Sequence, residues 1–410
     1  MFIRLILIII LLGINFLTYA SPSDSLNNQL QNTIQSYLKD NTKSLHISAV
    51  QLSILLPGEA KPRGFVVGTK YYNSFVPATT NMFMQWGSIT KEYTDVLIVK
   101  LINSKKINAE ETLVQLFPEN FSNSIGSWPS VWKQVTVVQL MNMTSGIPEY
   151  QQIIPNEMAK KKIQFDPYRQ YSLAELVNAA ANYQKQNNCD QFGCFRAGSH
   201  WYYSNTNYII LGMIIEKYSH QSLSQAFNKL LQPFQKEGCD VFYYDKPYPK
   251  FLLEKMIHGY GFYSMNPSDP LRWGDVTDWN MSFVASAGAM LGNSSALAKV
   301  SYALYHDQMV PTKQMLQYAV QMTNGQPATN PSKQCGEDTG CYALGIAMAY
   351  APEDGGMLYY YVGSTEGYTA EYMWIPSEQV MIAVAQNAKG NSLARLTLTI
   401  NRIVRHRLLS

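Results

Sequence analysis

Apolar positions along this chain recur at two periods, and the change of period divides it. From about 25 to 40, Leu26, Leu30, Ile34 and Leu38 repeat at the spacing of one helix face. HISAVQLSILLPG, 46–58, then ends in a turn and RGFVVGT follows, the pattern of a hairpin of half-buried strands. From 88 to about 280 the signals are mostly helical. SITKEYTDVLIVKLINS and TNYIILGMIIEKYS carry apolar residues at helical spacing, and loops containing Pro and Gly separate such stretches. Strands return in YALGIAMAYA, MLYYYVGS, YTAEYMWIP and QVMIAVAQN. A last helix, about 391–408, carries Leu393, Leu396, Ile400 and Ile403 on one face. Strands at both ends with helices between them predict an α+β fold: one antiparallel sheet built from both chain ends, flanked by helices, with a mostly helical region inserted. The sheet region would take in 21–87 and 285–410, the helical region 88–284, and the two would meet at a cleft.

The first twenty residues lie outside this plan. MFIRLILIIILLGINFLTYA has a basic start at Arg4, an apolar run from Leu5 to Leu17 and small residues suited to cleavage after Ala20. It reads as an export signal, with an uncleaved anchor as the alternative. No other stretch is apolar enough to span a membrane, so a periplasmic or secreted protein is expected. At 410 residues and 46% hydrophobic, the chain can bury one large core or two modest ones. A formal charge of +3 without a long basic run makes nucleic acid a poor candidate partner. Of five cysteines, Cys189 and Cys194 are close in sequence, as are Cys335 and Cys341, and Cys239 stands alone. Two short-loop disulfides and one free thiol is the simplest account in an oxidising compartment; reduced, buried cysteines are the alternative. Six scattered histidines show no metal-ligand spacing.

Three short motifs carry candidate chemistry. In WGSITKEYT, 86–94, Ser88 precedes Lys91 by three residues at the start of a helix whose inner face is Ile89, Tyr93, Val96, Leu97 and Leu101. A serine there can be a plain cap. The same place offers free backbone N–H groups for an oxyanion, and burial beside the positive helix end would lower the lysine pKa toward a neutral base. Ser36 and Lys39 repeat the spacing, so the spacing alone decides nothing. In HWYYSNTNYIILG, 200–212, Tyr203 and Asn205 flank Ser204 just before an apolar helix. In YYYVGSTEGYTAEYMWIP, 359–376, a strand ends at Gly363 and Ser364 and a second returns. Glycine on a strand edge lets a substrate lie close to the backbone. Tyr-x-Asn also occurs at 71–73 and Lys-x-Gly at 236–238, and each of the three has a bland reading as a turn or hairpin.

In this order the motifs resemble the serine β-lactamase and penicillin-recognising hydrolase superfamily, in particular its class C branch. VTVVQLMNMTSGIPEY, FRAGSHWYYSNTNYIILGMIIEKYS and ASAGAMLGNSSALAKV, 285–300, extend the likeness from about Asn27 to the C-terminus. The resemblance implies the β-lactamase and D,D-peptidase fold and an acyl-enzyme mechanism. Ser88 would be the nucleophile, Lys91 and Tyr203 would move its proton, and Asn205 would bind a substrate amide or carbonyl. Gly363 and Ser364 would complete the substrate edge, with the Ser364 N–H opposite that of Ser88. No metal or organic cofactor is implied. The implied partner is a small-molecule or peptide substrate, such as a peptidoglycan stem peptide or a β-lactam.

The third motif departs from the family, whose lysine or histidine helps hold a substrate carboxylate. Here it reads Tyr361, Val362, Gly363. Tyr361 can donate one hydrogen bond but brings no charge. Arg395, on the last helix, is a candidate stand-in cation, with a solvated helix flank as its other reading. Ala197 and Met143 are smaller departures. A D,D-carboxypeptidase or β-lactamase needs a carboxylate site, an esterase does not, and a non-catalytic relative that binds wall peptides or partners is the further alternative.

Overall fold

The computed structural model describes residues 22–122, 128–160, 166–186, 192–262, 273–336, 338–390 and 393–409. The segment read as an export signal, 1–20, lies outside them. Eight strands form one sheet: β1 (Ala49–Leu55), β2 (Arg63–Gly68), β3 (Val320–Gln321), β4 (Cys341–Tyr342), β5 (Ala347–Ala351), β6 (Gly356–Ser364), β7 (Thr369–Ile375) and β8 (Val380–Gln386). Their order is β2-β1-β8-β7-β6-β5-β4-β3, and the paired neighbours run antiparallel. The two chain ends meet where β1 pairs with β8, from Val50 opposite Gln386 to Leu55 opposite Met381. The sheet is thus built from both termini, as the change of period predicts.

β8 is buried on both faces, so it reads as an apolar run as far as Ala385. In β8, Val380, Ile382 and Val384 pack on one side and Met381, Ala383 and Ala385 on the other. The first side is covered by α1 (Pro22–Leu45) and α5 (Ala394–Leu409). Leu26, Leu30, Ile34 and Leu38 of α1 and Leu393, Leu396 and Ile400 are buried there. Val404 completes the second stripe, with Ile403 only half-buried beside it. The second side receives the larger core, with α2 (Thr90–Asn103), α3 (Asn205–Ser219) and α4 (Ser294–Leu304) among its helices.

Cys335 and Cys341 form a disulfide, Cys194 is also disulfide-bonded, and Cys239 is a buried free thiol; Cys189 lies outside the described residues. No described helix is long and apolar enough to cross a membrane.

Candidate active site

The chain enters α2 through a one-turn 3-10 helix, Gly87–Ile89, which puts Ser88 just ahead of the α-helix proper. Gly87 has φ +52°, a conformation that favours glycine. Trp86 anchors the turn from beneath: its N–H donates to Met290 O at 2.9 Å and its Nε1 to Gly292 O at 3.2 Å. Thr90 fixes the other side, donating to Gly87 O at 2.7 Å and accepting from Met290 N at 3.0 Å. Ser88 is half-buried among fully buried neighbours. No side chain caps α2, so the plain-cap reading fails: the Ser88 hydroxyl is turned toward Lys91 and Tyr203 instead.

Lys91 lies one turn along α2 and is fully buried. Its Nζ stands 2.9 Å from Ser88 Oγ and 2.8 Å from Ala287 O, and over the rings of Tyr203 and Tyr208. Burial brings its pKa down from 10.5 to about 7, partly opposed by the carboxyl groups of Glu149 and Asp95. A lysine near neutrality can act as a base at physiological pH.

Tyr203 comes from the extended stretch before α3, and its hydroxyl reaches Ser88 Oγ at 2.6 Å. Burial raises its pKa, so it is held as a neutral phenol. Asn205 opens α3 and is tied to a residue not singled out in the sequence, Glu149. The Asn205 N–H donates to the Glu149 carboxylate, and Nδ2 donates to Glu149 Oε2 at 3.0 Å and to Gln151 Oε1 at 2.9 Å. Burial raises the Glu149 pKa against these bonds. Glu149 thus lies buried against the first N–H of α3, where the helix dipole favours negative charge. Its position directly after TSGIP, in a stretch already compared with the family, was the available signal.

The end of β6 closes the site from the sheet side. A Cβ at Gly363 would stand 1.8 Å from Trp86 O and 2.8 Å from Ser88 N; one at Gly87 would stand 2.7 Å from Ser364 N. Two glycines therefore let the strand and the serine turn touch backbone to backbone, bringing Ser364 beside Ser88. Ser364 is exposed, and its hydroxyl bonds back to Tyr368 O at 3.2 Å.

Tyr361 requires a correction. Expected to present a hydroxyl to a substrate, it is only 3% exposed. Strand alternation puts it on the same face as Gly363, pointing into the core beneath the site. Its hydroxyl bonds Tyr342 OH at 2.8 Å. It is therefore already engaged inside the protein. Arg395 is exposed in the first turn of α5, and its guanidinium makes no hydrogen bond or ion pair among the described residues. The geometry brings together Ser88, Lys91, Tyr203, Asn205, Gly363 and Ser364, with Tyr361 behind them. The described contacts do not join Arg395 to that group.

The decoy motifs fall elsewhere. Ser36 and Lys39 are exposed on α1, Tyr71 and Asn73 sit in the turn after β2, and Lys236 to Gly238 are exposed at a helix end. Among the described residues, no group of three or more His, Cys, Asp or Glu is placed to hold a metal ion.

Comparison with known proteins agrees with this layout. The penicillin-binding protein 4* of Bacillus subtilis (strain 168) is 23% identical over 288 residues, covering 68% of this chain and 55% of that protein. The chain thus matches about half the length of that relative. A D-amino acid amidase from Ochrobactrum anthropi SV3 superposes with a TM-score of 0.69 at 19% identity, over 94% of this chain and 98% of the other. A class C β-lactamase gives 0.66 at 16% identity, over 93% and 96%. The β-lactamase family model matches residues 62–404. The chain is a member of the β-lactamase family, within the serine β-lactamase and penicillin-binding protein superfamily of hydrolases.

Proposed function

We propose that the protein hydrolyses an amide or ester through an acyl-Ser88 intermediate. The observation that carries this is the convergence on one hydroxyl of a buried, near-neutral lysine at 2.9 Å and a neutral phenol at 2.6 Å. Neutral Lys91 takes the Ser88 proton as Oγ attacks the carbonyl carbon. The resulting oxyanion is placed between the backbone N–H groups of Ser88 and Ser364. Collapse expels the leaving group, which takes a proton from Tyr203; Tyr203 regains one from the Lys91 ammonium. Water then attacks the acyl ester, gives its proton back through the same pair, and Ser88 is released. The Nδ2 hydrogens of Asn205 are committed to Glu149 and Gln151, so its Oδ1 is the atom that faces a substrate N–H.

The substrate class follows from the buried third motif. With Tyr361 engaged inside, no third-motif cation meets a carboxylate, which favours esters and amides that lack a free carboxylate next to the scissile bond. The O. anthropi relative is named for D-amino acid amides, and amides of that kind are included among the candidate substrates. If a carboxylate is recognised, Arg395 is the proposed cation. Export is proposed from residues 1–20 and is supported by the Cys335–Cys341 disulfide, a bond at home in oxidising compartments.

Intact-mass spectrometry with benzylpenicillin, an aryl ester and a D-amino acid amide tests the reading, with Ser88→Ala alongside. Turnover or an acyl adduct in the wild type alone supports it. Equal behaviour of the two proteins toward all three compounds would overturn it and favour a binding protein without catalysis. A penicilloyl adduct would make Arg395 the next residue to change.

A further inference from the structure

At the far end of α2 from Ser88 the fold leaves a groove of about 430 Å³. Its walls are the last turns of α2 and α3 and the helix Leu223–Lys236 packed across them. That helix turns Leu223, Ala226, Phe227, Leu230, Leu231 and Phe234 inward as one stripe. The floor of the groove is apolar: Leu97, Leu101, Ile215, Leu230, Phe234 and Met309 line it, and each is buried. Ala226, Ser104 and Ser219 are the small residues of the lining, and larger ones there would fill the space. The volume lies within the roughly 300–1,000 Å³ of small-molecule sites. Ser104 stands about 24 Å along the helix from Ser88, at 1.5 Å per residue, so the groove is separate from the catalytic cleft.

Charge at the rim is of one sign. Lys100, Lys106 and Lys229 belong to the same lining. Lys100 Nζ donates to Met309 O at 2.8 Å and Lys106 Nζ to Tyr218 O at 3.2 Å. An ammonium has three hydrogens, so each keeps two for another acceptor. Lys229 is exposed and makes no hydrogen bond or ion pair among the described residues. Glu237, the one acid of the described lining, is paired with Lys299 at 2.7 Å. The carbonyl ends of α2 and α3 favour a cation, which accounts for the tethers of Lys100 and Lys106. They do not account for Lys229, in the middle of its helix, or for the apolar floor beneath the three amines.

We propose that this groove binds an amphipathic anion, an unbranched alkyl chain ending in a carboxylate. The chain lies on the apolar floor, and the carboxylate meets the free hydrogens of the lysines at the rim. The inference goes beyond the acyl-Ser88 reading and does not depend on it.

Isothermal titration calorimetry with decanoate, below its critical micelle concentration and at low and high salt, tests the proposal on the full chain. It compares wild type with Ser104→Trp and with the double variant Lys100→Gln, Lys229→Gln. Ser104, Lys100 and Lys229 are all exposed, so these changes leave the core intact, and thermal unfolding checks that they do. The expected result is one saturable site per molecule. Kd should rise about tenfold or more in Ser104→Trp, whose indole fills the groove, and about fivefold or more in the double variant. High salt should weaken wild-type binding. Decan-1-ol and decyltrimethylammonium carry the same chain without the negative charge and should bind about fivefold or more weakly. Absence of saturable binding overturns the proposal. Undiminished binding in Ser104→Trp also overturns it, by placing the ligand elsewhere, the catalytic cleft included. Equal affinity for the three head groups overturns the choice of an anion. The titration reads no turnover, so a failure of the acyl-Ser88 reading would leave its result standing.

Discussion

Lys91→Met should inactivate the protein and make it more stable. Methionine fills much the same space as lysine without its charge. In the fold the amine titrates at about 7 instead of 10.5, so burial disfavours the protonated form by about 5 kcal/mol. At pH 7 half of the folded molecules carry the neutral amine, and a cost on the order of 4 kcal/mol remains. Methionine removes that cost but leaves Ala287 O without its lysine donor, a loss of about 1–3 kcal/mol. The net expectation is a gain of roughly 1–3 kcal/mol at pH 7, read as a rise in Tm of roughly 1–4 °C for a chain of this length.

The pH dependence makes this prediction hard to satisfy by accident. Between about 7 and 10.5 the unfolded chain holds the lysine proton and the folded chain does not. Unfolding therefore takes up a proton, and wild-type stability gains as pH rises through that window. The advantage of Lys91→Met should be largest at or below pH 7 and should shrink toward pH 10. Comparing the two proteins at each pH cancels most of the contribution of other titrating groups. Calorimetry or urea unfolding at several pH values supplies the measurement. A variant less stable than wild type at pH 7, or a stability gap that stays flat with pH, would refute the claim that Lys91 is a strained, near-neutral base.

Four further outcomes follow from the same geometry. Acylation of Ser88 should rise with pH through about 7, as Lys91 loses its proton, and the rise should be read in single-turnover rates with an ester that does not itself titrate. Gly363→Ala should cut acylation by at least about a hundredfold, because its methyl would fall 1.8 Å from Trp86 O and push β6 off the serine turn; normal rates would contradict the close approach. Glu149→Leu should cost about 3–5 kcal/mol in urea unfolding by stranding the Asn205 N–H and Nδ2 groups, whereas Glu149→Gln should cost less. Glu92→Gln should stabilise the protein at neutral pH. Burial raises the Glu92 pKa well above its ordinary 4.5, so wild type loses stability as pH climbs above that value, and a neutral amide escapes the loss.

How much of this was legible in the sequence differs from element to element, and the reason is the range of the interactions. The stripe Leu26, Leu30, Ile34, Leu38 and the apolar runs of β6 to β8 depend on local spacing and burial, so periodicity found them. Ser88 and Lys91 are one helical turn apart, and the helix itself dictates their contact. Tyr361 was readable as a place and not as a role. Strand alternation sends it to the face of Gly363, but whether that face is a cleft or a core depends on Tyr342, which arrives on another strand. Asp95 was the missed clue. Residues 88, 91, 92 and 95 fall on one stripe of α2, and two acids on the inner face of so apolar a helix demand buried partners. The sequence shows that demand, but its answer lies in tertiary contacts. Glu92 is met by Tyr372 and Asp95 by Tyr208, 113 residues away, so phenols scattered through the chain reach the two acids only once the fold has closed. Tyr361 stands where the family has its cation, and its hydroxyl goes to Tyr342 in the core, so a charge that meets a substrate carboxylate has to come from outside the third motif.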